Sequence, residues 1–216
     1  MAQLHLLPGL GADARLFASL GELCLPIRSA CLPTPEAHES MTAYALRVAT
    51  HIDLRPDDWI GGSSFGALVA AEIARQRPVS GLILIGGALT SETVMPLAKR
   101  LAPLARFLPL RPFRALISTR AGLTLLFGPH TDMHRRLLVE MLAATPDAML
   151  RAGAHLATSH FPKFPPRCPV HAIHGSIDSL MRPPLSDCRL VPNAGHALAL
   201  THAHEVTSFL RATLCE

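Results

Sequence analysis

The residues best suited to chemistry are a serine, a histidine and a carboxylate, each placed just beyond a strand-like segment. The run Gly62-Ser63-Ser64-Phe65-Gly66 matches the pattern G-x-S-x-G. It follows the short strand-like pair Trp59-Ile60 and opens an Ala-rich segment of helix formers that runs to about Arg75 and is closed by Pro78. A serine in such a strand-to-helix turn is held in a strained backbone conformation, and the small residues around it let strand and helix pass close. Its side chain also sits at the positive end of the helix dipole. Ser64 is therefore the candidate nucleophile; Ser63, the neighbouring hydroxyl, is off the central position. The plain alternative is a glycine-rich turn that binds phosphate or nothing.

A serine hydroxyl needs a base, and the base needs a group to orient it. Among twelve histidines, His196 stands out in Asn193-Ala194-Gly195-His196-Ala197, after the last strand-like run (188–191) and before a closing helix over 202–214. Asp178, in His174-Gly175-Ser176-Ile177-Asp178, lies directly beyond the strand predicted at 170–174 and can accept from the imidazole and fix its tautomer. Asp178 rests on position more than motif, so Asp187 and Glu92 stand as its alternatives. The developing oxyanion of an acyl transfer needs donors. Pro8-Gly9-Leu10-Gly11, after the first strand Leu4–Leu7, offers the backbone N–H of Leu10, and the second comes from Phe65. A dinucleotide fingerprint starting at Gly9 fails, because position 14 is Ala where the third glycine belongs.

The elements that must hold these groups alternate between strand-like and helix-like runs, the pattern of a parallel sheet covered on both faces. Beyond those named, 14–20 reads as a short helix and 25–30 as a second strand. Ser40 is a good N-cap for a helix to about Ile52, with Met41, Tyr44, Ala45 and Val48 on one face. Gly81 to Ile85 is a continuous apolar strand. From 96 to 166 the character changes to Leu, Ala and Arg punctuated by prolines, among them those at 96, 103, 109, 112, 129 and 146, read as several short helices. The expected organisation is a core of residues 1–95 and 167–216 with a helical cap, or lid, at 96–166.

Taken together, the elbow at 62–66, the turn at 174–178 and the histidine loop at 193–197 resemble those of small α/β-hydrolase-fold serine hydrolases. Carboxylesterases and the esterases that cleave methyl esters of carrier-protein-bound acids are among them. The chain order Ser, Asp, His is also theirs. The resemblance implies a trimmed, mostly parallel sheet of about six strands flanked by helices, with the helical lid inserted. It further implies ester or thioester hydrolysis through an acyl-enzyme, without metal or organic cofactor. Two departures stand out: the chain starts at what would be the family's third strand, and the interval from 178 to 196 is short, with Arg182-Pro183-Pro184 leaving little room for a helix. Both predict an exposed sheet edge that a partner subunit could cover. The same triad also serves acyl transferases, and the same fold serves lyases, cofactor-free peroxidases and non-catalytic ligand-binding proteins.

Substrate contacts are expected from Leu10 and from Phe107, Phe113, Leu116 and Phe127 of the lid. Residues 96–165 hold ten Lys/Arg against three Asp/Glu, whereas the other residues hold ten against thirteen, so the net charge of +4 belongs to the lid. Arg106, Arg111 and Arg114 could meet an anionic carrier, CoA or a carboxylate-bearing ester, although a solvated basic face is the simpler reading. No basic run with interleaved aromatics supports nucleic-acid binding. The N-terminal residues have no basic, apolar leader pattern and no apolar run reaches membrane length, which predicts a cytoplasmic protein. Five cysteines, with no close C-x-x-C pair, read as free thiols in a reducing compartment rather than a disulfide framework or a zinc site.

Overall fold

In the computed structural model, residues 1–93, 109–159, 162, 164–184 and 186–215 are described. Six strands form one sheet: β1 (Leu4–Leu7), β2 (Ile27–Ser29), β3 (Trp59–Ser64), β4 (Gly81–Gly87), β5 (Val170–Gly175) and β6 (Arg189–Val191). Their order is β2-β1-β3-β4-β5-β6, and every pair is parallel. The helices are α1 (Met41–His51), α2 (Phe65–Gln76), α3 (Leu110–Ile117), α4 (Arg120–Phe127), α5 (Asp132–Ala144), α6 (Asp147–Ser159), α7 (Leu198–Thr201) and α8 (Ala203–Leu214).

All seven residues of β4 are buried, as expected of a central parallel strand covered on both faces. Alternation divides it between two cores. Leu82 and Leu84 pack with Tyr44, Val48, Leu68 and Ile73 of α1 and α2. Ile83 and Ile85 pack with Leu16, Leu198, Phe209 and Leu210 on the opposite face. Helix α1 begins where Ser40 Oγ accepts from Ala43 N–H at 3.1 Å, the cap its sequence predicts. Helix α2 is buried from Phe65 to Ala74, which explains its Ala-rich, all-round apolar composition.

The chain runs from β1 outward to β2 and returns to β3 on the other side of β1. Strand order thus reverses between β1 and β3, and a crevice opens at their carboxyl ends, where ligands bind in open α/β sheets. The Leu10 loop and Ser64 both sit there. The opposite ends are tied for structure: Asp58, fully buried, accepts from Gln3 N–H (2.9 Å), Arg55 N–H (3.0 Å) and His5 Nε2 (3.2 Å).

Helices α3 to α6 lie in the stretch between β4 and β5. Arg75 of α2 holds both flanks of that stretch, donating from Nη2 to Leu89 O (2.8 Å) and from Nε to Phe164 O (2.7 Å), with Glu72 at 3.4 Å. Burial pulls the Arg75 guanidinium below its ordinary range, against the opposing pull of Glu72.

Three expectations change. Residues 14–17 form a single 3-10 turn capped by Asp13 instead of a helix to Leu20. A short helix, α7, follows the histidine loop directly and breaks from α8 at His202. The third concerns cysteine: Cys24 and Cys215 form a disulfide across 191 residues of sequence, whereas free thiols were expected. The pairing escapes a search for close motifs because it joins two segments distant in sequence. Cys31, Cys168 and Cys188 remain free. Among the described residues, no helix is long and apolar enough to cross a membrane.

A cross-link that closes so long a loop destabilises the unfolded chain by about 5 kcal/mol in the chain-entropy view. Reduction, or Cys24→Ser, is therefore expected to lower the melting temperature by on the order of 10 °C. A melting curve that reductant leaves unmoved would show that the pair does not form.

Candidate active site

Ser64 ends β3 and precedes α2 with φ 53° and ψ −118°, a left-handed conformation that costs a non-glycine residue roughly 1–3 kcal/mol. The ladder with β4 shifts register between Ser63 and Ser64, where the chain turns out of the sheet. The flanking glycines make this turn feasible. A Cβ at Gly62 would come within 2.6 Å of the Leu7 carbonyl oxygen, and one at Gly66 would run into that same carbonyl. Ser64 is thereby presented at the crevice, with its side chain free of any capping bond to α2.

The loop after β1 passes against the same residue. A Cβ at Gly9 would lie 3.1 Å from Ser64 Cβ, so only a glycine lets this backbone approach without displacement. Gly11 takes φ 82° and carries the chain past Leu10. Phe65 is the first residue of α2, where a backbone N–H has no intrahelical acceptor.

His196 is nearly fully buried and donates from Nδ1 to Asp178 Oδ2 at 2.7 Å. With Nδ1 carrying the hydrogen, Nε2 is left as the acceptor, the tautomer a general base requires. Asp178 is itself buried, and its Oδ1 accepts from the backbone N–H groups of Leu180 (2.8 Å) and Met181 (3.0 Å). Burial pushes its carboxyl upward, but the His196 charge, the bonds from His174 and His196 and the Met181 N–H together outweigh it. The net result lies well below the usual carboxylate range. Of the two alternatives to Asp178, Asp187 is exposed near β6 and Glu92 is exposed beyond β4.

Ser64 and His196 share the wall of one cavity of about 50 Å³ with Ser63, Leu10, Leu16, Leu123, Phe127, Leu138 and Leu142. No hydrogen bond joins the Ser64 hydroxyl to His196 among the described residues. Phe127 stacks on the imidazole at 6.3 Å between ring centroids and 27° between planes. The cavity is thus polar at one end and apolar elsewhere.

The other sequence candidates fall in several places. Leu10 and Phe127 line the cavity. Phe113 and Leu116 stand on α3 with 39% and 68% exposure and do not line it. Arg111 is exposed on α3. Arg114 donates to the carbonyls of Leu142, Ala143 and Thr145 and pairs with Asp147 at 2.7 Å, so it ties α3 to the junction of α5 and α6. Arg106 and Phe107 lie outside the described residues. The sequence reading missed Leu16, Leu123, Leu138 and Leu142 as cavity walls; the spacing of Leu138 and Leu142 on one face of α5 was the available signal.

No family model and no curated protein sequence matches this chain. Solved structures do. A thermophilic esterase from Thermogutta terrifontis is similar over 100% of this chain and 90% of its own, with TM-score 0.75 and 20% identity. The enol-lactonase from Burkholderia xenovorans LB400 is similar over 100% and 92%, with TM-score 0.76 and 14% identity. A bromoperoxidase from Bacillus anthracis is similar over 100% and 93%, with TM-score 0.67 and 15% identity. Identities this low speak to architecture, and the differing chemistries in those three names caution against carrying any one of them over. By the order and direction of its strands and by these neighbours, the chain is an α/β-hydrolase-fold protein.

Proposed function

We propose that the protein is a serine hydrolase that cleaves carboxylic esters or thioesters. The observation that carries this reading is the 2.7 Å bond from His196 to a buried Asp178, with His196 facing the same small cavity as the strained Ser64.

The reaction follows from the groups present. His196 Nε2 accepts the Ser64 proton as Oγ attacks the acyl carbon. The oxyanion of the tetrahedral intermediate is held by the backbone N–H groups of Leu10 and Phe65. Collapse expels the alcohol or thiol, which takes the proton from His196, and leaves an acyl-Ser64 ester. Water then attacks, gives a proton to His196, and the acid departs as Ser64 Oγ regains its hydrogen. Asp178 stays ionised throughout and stabilises the imidazolium.

Support also comes from the cavity walls. Apart from Ser63, Ser64 and His196, the described residues that line the cavity are glycine or apolar. Such walls suit an uncharged acyl chain and reject charge. Arg111, exposed on α3, is available to a carrier-linked anionic substrate.

Three outcomes are expected. A fluorophosphonate probe labels the wild type, and Ser64→Ala abolishes labelling and lowers kcat by about 10⁴-fold or more; unlabelled, folded wild-type protein would exclude the serine mechanism. Among p-nitrophenyl esters of equal chain length, kcat/KM is higher for an uncharged acyl chain than for one ending in a carboxylate; the reverse order contradicts the apolar walls.

The third outcome links Asp178 to stability. Its carboxyl is lowered on folding, so its contribution is present above the unfolded value of about 3.9 and is lost as pH falls below it. Asp178→Asn is expected to lower kcat by about 10⁴-fold and to melt earlier than wild type at pH 7. That gap narrows as the pH drops below about 4. A gap that is constant from pH 7 to pH 3 refutes the coupling.

A further inference from the structure

The acid of the proposed triad touches a second histidine. His174, on β5, is fully buried and lies four residues before Asp178. Its Nε2 donates to the carbonyl of Met181 at 3.0 Å and sits 3.1 Å from Asp178 Oδ2. Both of these atoms are acceptors, so the ring carries its hydrogen on Nε2, between them. His174 Nδ1 is buried with no hydrogen-bond partner, which suits a bare lone pair and no hydrogen on that side.

Oδ2 of Asp178 is therefore held from two directions, by His196 Nδ1 at 2.7 Å and by His174 Nε2 at 3.1 Å. Oδ1 is fixed separately by the N–H groups of Leu180 and Met181. Because His174 also binds the carbonyl of Met181, one ring clasps the carboxylate and the turn that presents it. Without that clasp, Oδ2 has only the imidazole of His196, which must itself move charge during turnover. A carboxylate anchored only at Oδ1 lets Oδ2 swing about that anchor, and the imidazole bonded to Oδ2 swings with it. Catalysis is sensitive to such displacements, with about a hundredfold loss for a 1 Å misplacement.

We infer that His174 is a positioning residue of this site: it fixes the rotation of the Asp178 carboxylate, and through it the aim of His196 at Ser64. This inference rests on the serine-hydrolase reading above. It also fixes a direction for the pH profile. His174 draws on the same oxygen as His196, so removing it concentrates the carboxylate's charge on the imidazolium and stabilises the protonated base.

The test uses two amides of different reach. Gln places its amide nitrogen near the position of His Nε2, whereas Asn reaches only the position of Nδ1, which binds nothing. His174→Asn is expected to lower kcat on p-nitrophenyl acetate by about tenfold or more, with KM little changed. Its acid limb of kcat/KM should move to higher pH. His174→Gln is expected to restore kcat to within about threefold of wild type and to return the acid limb. A merely structural role would lower melting temperature in both variants and leave the acid limb in place.

An Asn variant with wild-type kcat and acid limb overturns the inference, as does a Gln variant as impaired as Asn. Should the Asn variant not fold, His174→Gln decides alone: near-wild-type kcat sustains the inference, and a tenfold loss or failure to fold overturns it. Ser64→Ala, run alongside, separates the two levels. If it stays active, the serine reading falls and takes this inference with it. If it is dead while His174→Asn matches wild type, only this inference falls.

Discussion

The negative charge of Asp178 is the interaction around which the site is built. A carboxylate out of contact with water is costly unless every lone-pair direction is answered. Here two backbone N–H groups and two imidazoles answer it, and each comes from a segment the fold must bring in separately. β5 delivers His174, the turn after it delivers Leu180 and Met181, and the loop after β6 delivers His196. The two loops are stitched to each other as well: Ile177 N–H donates to Ala194 O at 3.1 Å and Asn193 N–H to Ser176 Oγ at 2.9 Å. His196 is thus held by a frame that would lose its reason to close if the charge were removed.

On the serine side the constraint is steric. Ser64 keeps its left-handed conformation because Gly62 and Gly66 bring β3 and α2 against the end of β1, leaving the backbone nowhere else to go. The same closeness places the Gly9 backbone beside Ser64. Strand reversal between β1 and β3 explains why these segments meet: the crevice at the switch point is the one place where two loops leave the sheet in opposite directions. Strain at Ser64 and proximity of the Leu10 loop are two results of one packing arrangement.

Much of this could be read from the chain, and the reasons differ by element. Strands β1 and β4 were legible because buried parallel strands are nearly uninterrupted apolar runs, and α1 because Ser40 and the Met41, Tyr44, Val48 spacing mark a cap and a face. Ser64, Asp178 and His196 were legible because each sits in a turn rich in small residues beyond such a strand. What sequence concealed was long-range pairing. Nothing local distinguishes Cys24 and Cys215 from the free cysteines, and nothing local says that Arg114 caps a helix junction instead of facing a ligand. His174 was in view as part of the turn but carried no signal of its own, since its partner Met181 is identified only once the turn closes. The cavity walls were hidden likewise, because leucines abound in α3 to α5 and only their docking decides which face the serine.

That docking bears on how the base is held, because α4 does more than cover the crevice. A helix ends with carbonyls that lack intrahelical partners, and two of those at the end of α4 are taken by the two loops that carry Asp178 and His196. Ser179 Oγ donates to Leu125 O at 2.6 Å, one residue beyond Asp178. Ala197 N–H donates to Phe127 O at 3.2 Å, one residue beyond His196. Gly128 and Gly195 touch closely enough that a Cβ on Gly128 would lie 2.6 Å from the Gly195 Cα, and Phe127 lays its ring along the imidazole. A movement of α4 that opened the cavity would therefore pull on the segments flanking both Asp178 and His196. The helix that bounds the cavity is bonded to the loops that carry Asp178 and His196, so the room in the cavity and the alignment of His196 cannot vary independently.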